Sequence, residues 1–319
     1  MNIEKIEFGG YRIGIPVPFP MKYVYCYLFK QNDGYCLIDI GLNYSAARDA
    51  WQEVFDHLGI TFGDVHTIYL THFHPDHSGL SGWMQEQTGA DLFMNEVDAA
   101  MIERVWGEGS VQVARMKEMV LQHGVPEDLA DGIADHMNKL HKNVLPLPVV
   151  KPIGATIEFG DQQWSVIHTP GHSEGHVCFF HEKEGILIGG DHILEKITPN
   201  ISVWPGASQH PLHEYIDSLR KVRKYPIKKI YSAHHSPVPN VTERIDELIQ
   251  HHEERLNYIE SLADHKTTYE IAKVLFSHRE LNPHQWRFAI AETIAHLNYL
   301  EREGRVAKVK QDPIIYDQC

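Results

Sequence analysis

The sequence predicts a layered α/β fold followed by a smaller helical module. Short apolar stretches with strand character alternate along the chain with stretches of helical spacing, the pattern of helices packed on sheets. At 319 residues the chain is longer than one typical domain. A hydrophobic share of 43% against 23% charged is that of an ordinary globular protein and excludes disordered, collagen-like and coiled-coil classes.

Taken in order, residues 3–40 carry short alternating stretches broken at Gly9-Gly10, Pro16 to Pro20 and Asn32-Asp33-Gly34, which predicts hairpins with 23–29 and 35–40 as the clearest pair. Residues 43–58 put Ala47, Trp51, Val54, Phe55 and Leu58 on one helical stripe. A strand at 65–70, a helix from about Ser78 and a strand at 91–94 follow. Residues 95–150 are helical, including 111–123 and 129–141, and stop at Pro146 and Pro148. So long an excursion between strands reads as a lid or pocket wall. Strands are expected at 156–159, 163–168, 176–181, 186–189 and 229–232, and helices at 212–224 and 241–262. Beyond Asp264 come helices at 268–276 and 283–303, a Gly304 C-cap and a β-like tail at 306–310. The chain therefore divides into a catalytic part, 1–264, and a small module, 265–319.

The segment that carries chemistry is Thr71-His72-Phe73-His74-Pro75-Asp76-His77-Ser78-Gly79, directly after an apolar strand. Three imidazoles and a carboxylate within six residues cannot share one helix or strand face, whereas a loop at a strand's end can turn all four inward. Ser78 is placed to cap the following helix and hold the loop's far side. Four ligands leave two ions incomplete. Partners are expected at other strand ends, and His172, Asp191 and His234 each follow one. Imidazole and carboxylate are ligands for zinc, iron or manganese.

With these seven residues in place, the sequence resembles the metallo-β-lactamase superfamily of hydrolases, whose HxHxDH loop stands here as His72, His74, Asp76 and His77. The resemblance implies a four-layer αββα sandwich with a two-metal site at one sheet edge. One ion would be held by His72, His74 and His172, the other by Asp76, His77 and His234, with Asp191 bridging. The family's last motif commonly reads Gly-His-Gly; here it is Ala233-His234-His235, so His235 is the alternative ligand. The family's flavodiiron proteins commonly carry a Glu where His74 stands, and its exported zinc β-lactamases often a Cys where Asp191 stands. Neither matches. The C-terminal module resembles the winged-helix-like domain of the lactamase-β-like hydrolases, a group that includes a mitochondrial endoribonuclease, through Thr268 to Ala272, Ala291-Glu292-Thr293 and His296 to Leu300.

The expectation is a dinuclear metallohydrolase, zinc by default, using a metal-bridging hydroxide on a thioester, lactone or related ester, with Asp76 and Asp191 as the catalytic carboxylates. A phosphodiesterase or ribonuclease is the first alternative, and a mononuclear iron persulfide dioxygenase the second. A net charge of −14 argues against general nucleic-acid or polybasic membrane binding. His176, His192 and His235 read as structural residues, with orientation of ligands as the alternative. Cys26, Cys36, Cys178 and Cys319 show no CxxC spacing, and the start of the sequence has no export signal, which together suggest a cytoplasmic protein. The tail module suggests pairing of domains or subunits, and so a homodimer.

Overall fold

The computed structural model describes residues 2–31 and 34–319. The expected turn at Asn32-Asp33-Gly34 therefore lies partly outside the described residues. One mixed sheet runs in chain order through β1 (Ile3–Lys5), β2 (Tyr11–Pro16), β3 (Tyr23–Gln31), β4 (Gly34–Ile38), β5 (Val65–Tyr69), β6 (Asp91–Met94) and β7 (Val150–Pro152). The second holds β8 (Thr156–Phe159), β9 (Gln162–His168), β10 (Val177–His181), β11 (Ile186–Gly190) and β12 (Lys229–Ser232), in the order β12-β11-β10-β9-β8. A small third sheet takes β13 (Lys266–Thr267), β14 (Val306–Gln311) and β15 (Ile314–Gln318), in the order β13-β15-β14.

Side-chain alternation explains the layers. On β3, Tyr27 and Phe29 face the second sheet and pack with Phe159, Trp164 and Phe179, while Cys26 and Leu28 face the other way. Those outward residues meet α1 (Ser45–Leu58), whose stripe of Ala47, Trp51, Val54 and Phe55 is buried as the spacing predicts. Short α2 (Pro75–Ser78) and α3 (Ser81–Thr88) follow β5, and α4 (Glu96–Trp106) adds Met101 and Ile102 to the same layer. The second sheet buries Ile167, Cys178, Phe180 and Leu187 against α7 (Pro211–Val222) and α8 (Val241–Leu262). The result is helix, sheet, sheet, helix, as the resemblance implies.

The excursion at 95–150 holds three helices, α4, α5 (Gln112–Gln122) and α6 (Glu127–Leu140), where periodicity marked two. Helix α4 starts where the Asn95 side chain accepts from Val97 N. Met116, Val120, Ile133 and Met137 of α5 and α6 pack on Ala272 of α9 (Thr268–Leu275) and on Ile290 and Ile294 of α10 (Pro283–Arg302). Both of those helices begin with capping boxes, Thr267 with Glu270 and Asn282 with Gln285. Gly304 follows α10 with φ 69°, a conformation that favours glycine. The tail is a hairpin, β14 on β15, and not a single strand. Among the described residues, no helix is long and apolar enough to cross a membrane.

One correction concerns Ser78. It caps no helix N-terminus; it ends α2, and its hydroxyl donates back to Phe73 O at 2.7 Å and His74 O at 3.1 Å. Pro75 opens that helix instead, because its fixed φ suits the first turn and its missing N–H is not needed there.

Several histidines serve this packing. His123 Nδ1 lies 2.7 Å from Thr268 Oγ1, and burial, followed by the charge of Lys308, lowers its pKa to about 4. Below pH 6.5 the unfolded chain binds a proton there that the folded chain refuses until about pH 4, so this residue's contribution falls as the pH drops through that window. The loss is roughly 1.4 kcal/mol per pH unit, about 2 kcal/mol at pH 5. Urea unfolding of the metal-free protein at pH 7 and pH 5 should show His123→Asn losing about that much less than wild type on acidification. Equal losses in the two proteins would sink this account.

Candidate metal centre

The centre forms where strands of both large sheets end. Thr71 to His74 leave β5 as extended chain, and one helical turn, α2, then carries Asp76 and His77. The segment is thus half loop and half helix. Asp39, just after β4, holds it: its carboxylate accepts from Thr71 N at 2.9 Å and Thr71 Oγ1 at 2.8 Å, and contacts His77 Nδ1 at 2.8 Å. Asp98 of α4 ties it to the loop after β9, accepting from Phe73 N at 3.0 Å, Ser173 Oγ at 2.7 Å and Gly175 N at 2.7 Å. Asp191 leaves β11 after Gly190, whose φ is 50°; a Cβ there would stand 2.7 Å from His176 Nε2 and 2.9 Å from Thr71 Cβ.

All seven residues expected from the sequence converge. His72, His74 and His172 form one group, His72, His77 and Asp191 a second, and Asp76, His77 and His234 a third, each with ligand atoms within 4.8 Å of one another. Asp191 stands between the sets, with Oδ2 3.4 Å from His172 Nε2 and Oδ1 3.5 Å from His77 Nε2 and 3.4 Å from His234 Nε2. His74 Nδ1 is 2.8 Å from His172 Nε2. His235 belongs to none of the three groups; its φ of 62° makes the turn that follows His234.

Ring orientation follows from the outer contacts. The Nδ1 atoms of His72, His77, His172 and His234 are taken by Thr71 Oγ1, Asp39 Oδ2, Asn200 O and Tyr23 O. The Nε2 atoms therefore turn inward. Buried Nε2 of His72, His74, His77 and His234, and Oδ1 of Asp191, have no hydrogen-bond partner. Buried polar atoms are rarely left so unless something else occupies the site, and this donor set fits divalent metal ions. His176 is an orienting residue: its Nδ1 contacts Thr169 Oγ1 at 2.8 Å and its Nε2 accepts from Asp191 N at 3.2 Å.

The charges divide the centre. Burial, reinforced by neighbouring imidazoles, holds His72 and His74 well below the usual imidazole range. At His77 and His234 burial acts in the same direction, but carboxylates outweigh it: Asp191, Asp39 and Asp76 keep His77 well above the range, and Asp191 and Asp76 raise His234 to about 10. Burial likewise works against the charge of Asp76, yet His77 and His234 bring it down to about 2. Cations bound here would displace the protons that otherwise balance these carboxylates.

Sequence reasoning missed Asp39 and Asp98. Asp39 sits in Leu37-Ile38-Asp39-Ile40, and a carboxylate inside an apolar strand was the available signal. Asp98 lies in an unremarked helix and gave none.

The metallo-beta-lactamase superfamily model matches residues 20–234, and a metallo-beta-lactamase-like C-terminal domain model matches 256–317. The probable metallo-hydrolase YqjP of Bacillus subtilis is 26% identical, over 95% of this chain and 96% of its own. The crystal structure of the metallo-beta-lactamase family protein TTHA1429 from Thermus thermophilus superposes with a TM-score of 0.88 at 35% identity, covering 98% of this chain and 99% of that one. A beta-lactamase domain protein from Burkholderia ambifaria gives 0.86 at 25% identity, over 100% of this chain and 94% of that one. Fold and matches together define a metallohydrolase. The chain belongs to the metallo-beta-lactamase superfamily.

Proposed function

We propose that the chain is a dinuclear hydrolase of thioesters, lactones or comparable esters. The observation that carries this is Asp191, set between His172 on one side and His77 and His234 on the other, with the Nε2 atoms of His77 and His234 buried and unpartnered. His72, His74 and His172 would hold one ion and Asp76, His77 and His234 the other, with Asp191 shared. Zinc is the proposed metal, and iron and manganese are accepted by the same donors. When bound, the ions supply a water ionised near neutral pH and a Lewis acid for the carbonyl oxygen. Asp76 stays a carboxylate at neutral pH, so it would act as a metal ligand or hydrogen-bond acceptor and not as a proton donor. His172 is held in orientation by Asn200 O at 2.8 Å.

The ester reading is favoured by the cavity above these residues. It has a volume of about 1000 Å³, includes His74, Asp76, His172, Asp191 and His234 in its lining, and is otherwise walled largely by apolar side chains such as Phe19, Met101, Trp106 and Phe288. Its walls come from α6, α10 and the segment at 194–204, which fits the lid role expected of the insertion. We take residues 265–319 as a winged-helix-like unit whose task is to complete this wall, with pairing into a homodimer as its second role. A cytoplasmic location is in keeping with Cys26, Cys36 and Cys178, all buried as free thiols.

Metal analysis of purified protein, coupled to thioester, lactone and phosphodiester substrates, tests the proposal. Two ions per chain are expected, with ester or thioester turnover lost on chelation and regained on adding zinc. Turnover confined to phosphodiesters would replace the ester reading with the nuclease one; a single iron with oxygen consumption would replace it with the dioxygenase one.

A further inference from the structure

The same cavity contains a buried cation that, among the described residues, meets no carboxylate. Arg287, in the second turn of α10, is 7% exposed and lines the cavity. Its guanidinium lies over the rings of Phe288, at 4.7 Å, and Trp204, at 5.3 Å. Among the described residues it has no ion pair and no hydrogen bond, and its Nε is buried without a partner. None of the acids that share the lining pairs with it: Asp76 and Asp191 lie against His77 and His234 in the metal centre. Glu292 accepts from Asn200 Nδ2 at 2.9 Å and pairs with Arg255 at 3.6 Å, and Asp135 is exposed on α6.

Two imidazoles stand in the same lining. His136 of α6 and His284, one turn before Arg287 on α10, have ring centroids 4.4 Å apart, and the Nδ1 of each is buried without a hydrogen-bond partner. Burial lowers the pKa of both, and the charge of Arg287 adds to the effect, so they are neutral donors or acceptors at pH 7. A guanidinium taken out of water with no counter-charge is unfavourable to folding, and proteins rarely carry one without a ligand to meet it. Its planar fork matches a carboxylate or phosphate, and aromatic faces on its sides hold the plane in one orientation.

We propose that Arg287 is the anchor for an oxyanion, a carboxylate or phosphate, carried by the substrate at a distance from the bond that is cleaved. His136 and His284 complete that subsite, and the apolar wall takes the chain between the anion and the reacting carbonyl. The substrate class becomes an acyl compound with an acidic group at its far end. This rests on the ester reading for what happens at the metal centre, but the anchor itself can be tested without turnover.

The test titrates metal-free wild type, Arg287→Lys and Arg287→Met with octanoate, octyl phosphate and octanol, following heat or tryptophan fluorescence. Wild type should bind one or both anions at least roughly tenfold more tightly than the alcohol, as a charge-assisted pair in a dry site allows. Arg287→Met should lose that preference and Arg287→Lys keep part of it. The anion that gains most identifies carboxylate or phosphate as the natural group. Arg287→Met should also melt a few degrees higher than wild type without ligand, because it removes an uncompensated buried charge. A purely structural arginine would instead lower the melting temperature when replaced. Equal binding of anion and alcohol by wild type, or a preference surviving in Arg287→Met, overturns the anchor.

A second arm compares kcat/KM of the metal-loaded proteins on matched esters with and without a terminal carboxylate. Loss of the acid's advantage in Arg287→Met, through KM, supports the anchor; equal turnover of both esters by wild type and variant removes it and leaves the ester reading intact. Arg287-dependent anion binding with no ester turned over would remove the ester reading and leave the anchor.

Discussion

Asp191→Ala is expected to abolish hydrolysis and to strip metal from the protein while leaving most of the fold in place. Among the described residues, its two oxygens are the only carboxylate atoms that reach both imidazole sets, at 3.4 Å to His172 and 3.4 and 3.5 Å to His234 and His77. Without them, Asp76 remains as the carboxylate near the inward nitrogens of His77 and His234, and Asp39 stays on the outer nitrogen of His77. The lost contribution is several kcal/mol of charge stabilisation, and activity should fall by at least on the order of a thousandfold. His74→Ala should behave alike. Metal content by elemental analysis and far-UV circular dichroism check the two halves of the prediction. The sheets should persist because their interior is apolar: Tyr27, Phe159, Trp164 and Phe179 between them, Trp51 and Leu212 outside. Either variant retaining full activity and both ions would show that the centre is elsewhere.

Asp39→Asn is expected to weaken metal binding selectively at the set that contains His77. The carboxylate serves two donors from Thr71 and the Nδ1–H of His77, all within 2.9 Å. An amide has one acceptor oxygen, so its NH2 must face one of these donors. If it faces His77, the ring takes the other tautomer and turns an N–H toward the metal position. Loss of such an outer partner typically lowers metal affinity by about 10- to 100-fold. Stepwise titration against a competing chelator should therefore show one ion weakened by that factor and the other little changed. Thr71→Val, which leaves the Asp39 to His77 contact in place, should show a smaller loss. Unaltered affinity and stoichiometry in Asp39→Asn would contradict the role given to this residue.

The chain's histidines serve different purposes. Of 23 histidines, five lie in the metal groups. Others are buried and neutral for packing, such as His123 on Thr268 and His252 against His296, where Nδ1 and Nε2 stand 3.2 Å apart. Burial lowers the pKa of His252 and His296, as it does that of His123. The remaining histidines are mostly partly or fully exposed, as His57, His66, His168 and His265 are.

What the sequence determined by itself was everything written in local order. Strand alternation at Tyr27 to Phe29, the helical stripe of α1 and the close spacing of His72, His74, Asp76 and His77 are periodicities and neighbours along the chain, and each survives in the structure. Strand ends also marked His172, Asp191 and His234, because a sheet edge gathers the residues that follow its strands. Tertiary structure alone decided which distant residues meet. Asp39 reaches His77 across 38 positions, Asp98 reaches Ser173 across 75, and the Arg12 side chain donates to His235 O across 223, at the turn that follows His234. In the sequence Arg287 is one charge among others in residues 265–319; the fold encloses it with Trp204 and Phe288 in the cavity above the metal centre. Burial and pairing are properties of the packed chain, and no pattern within one element records them.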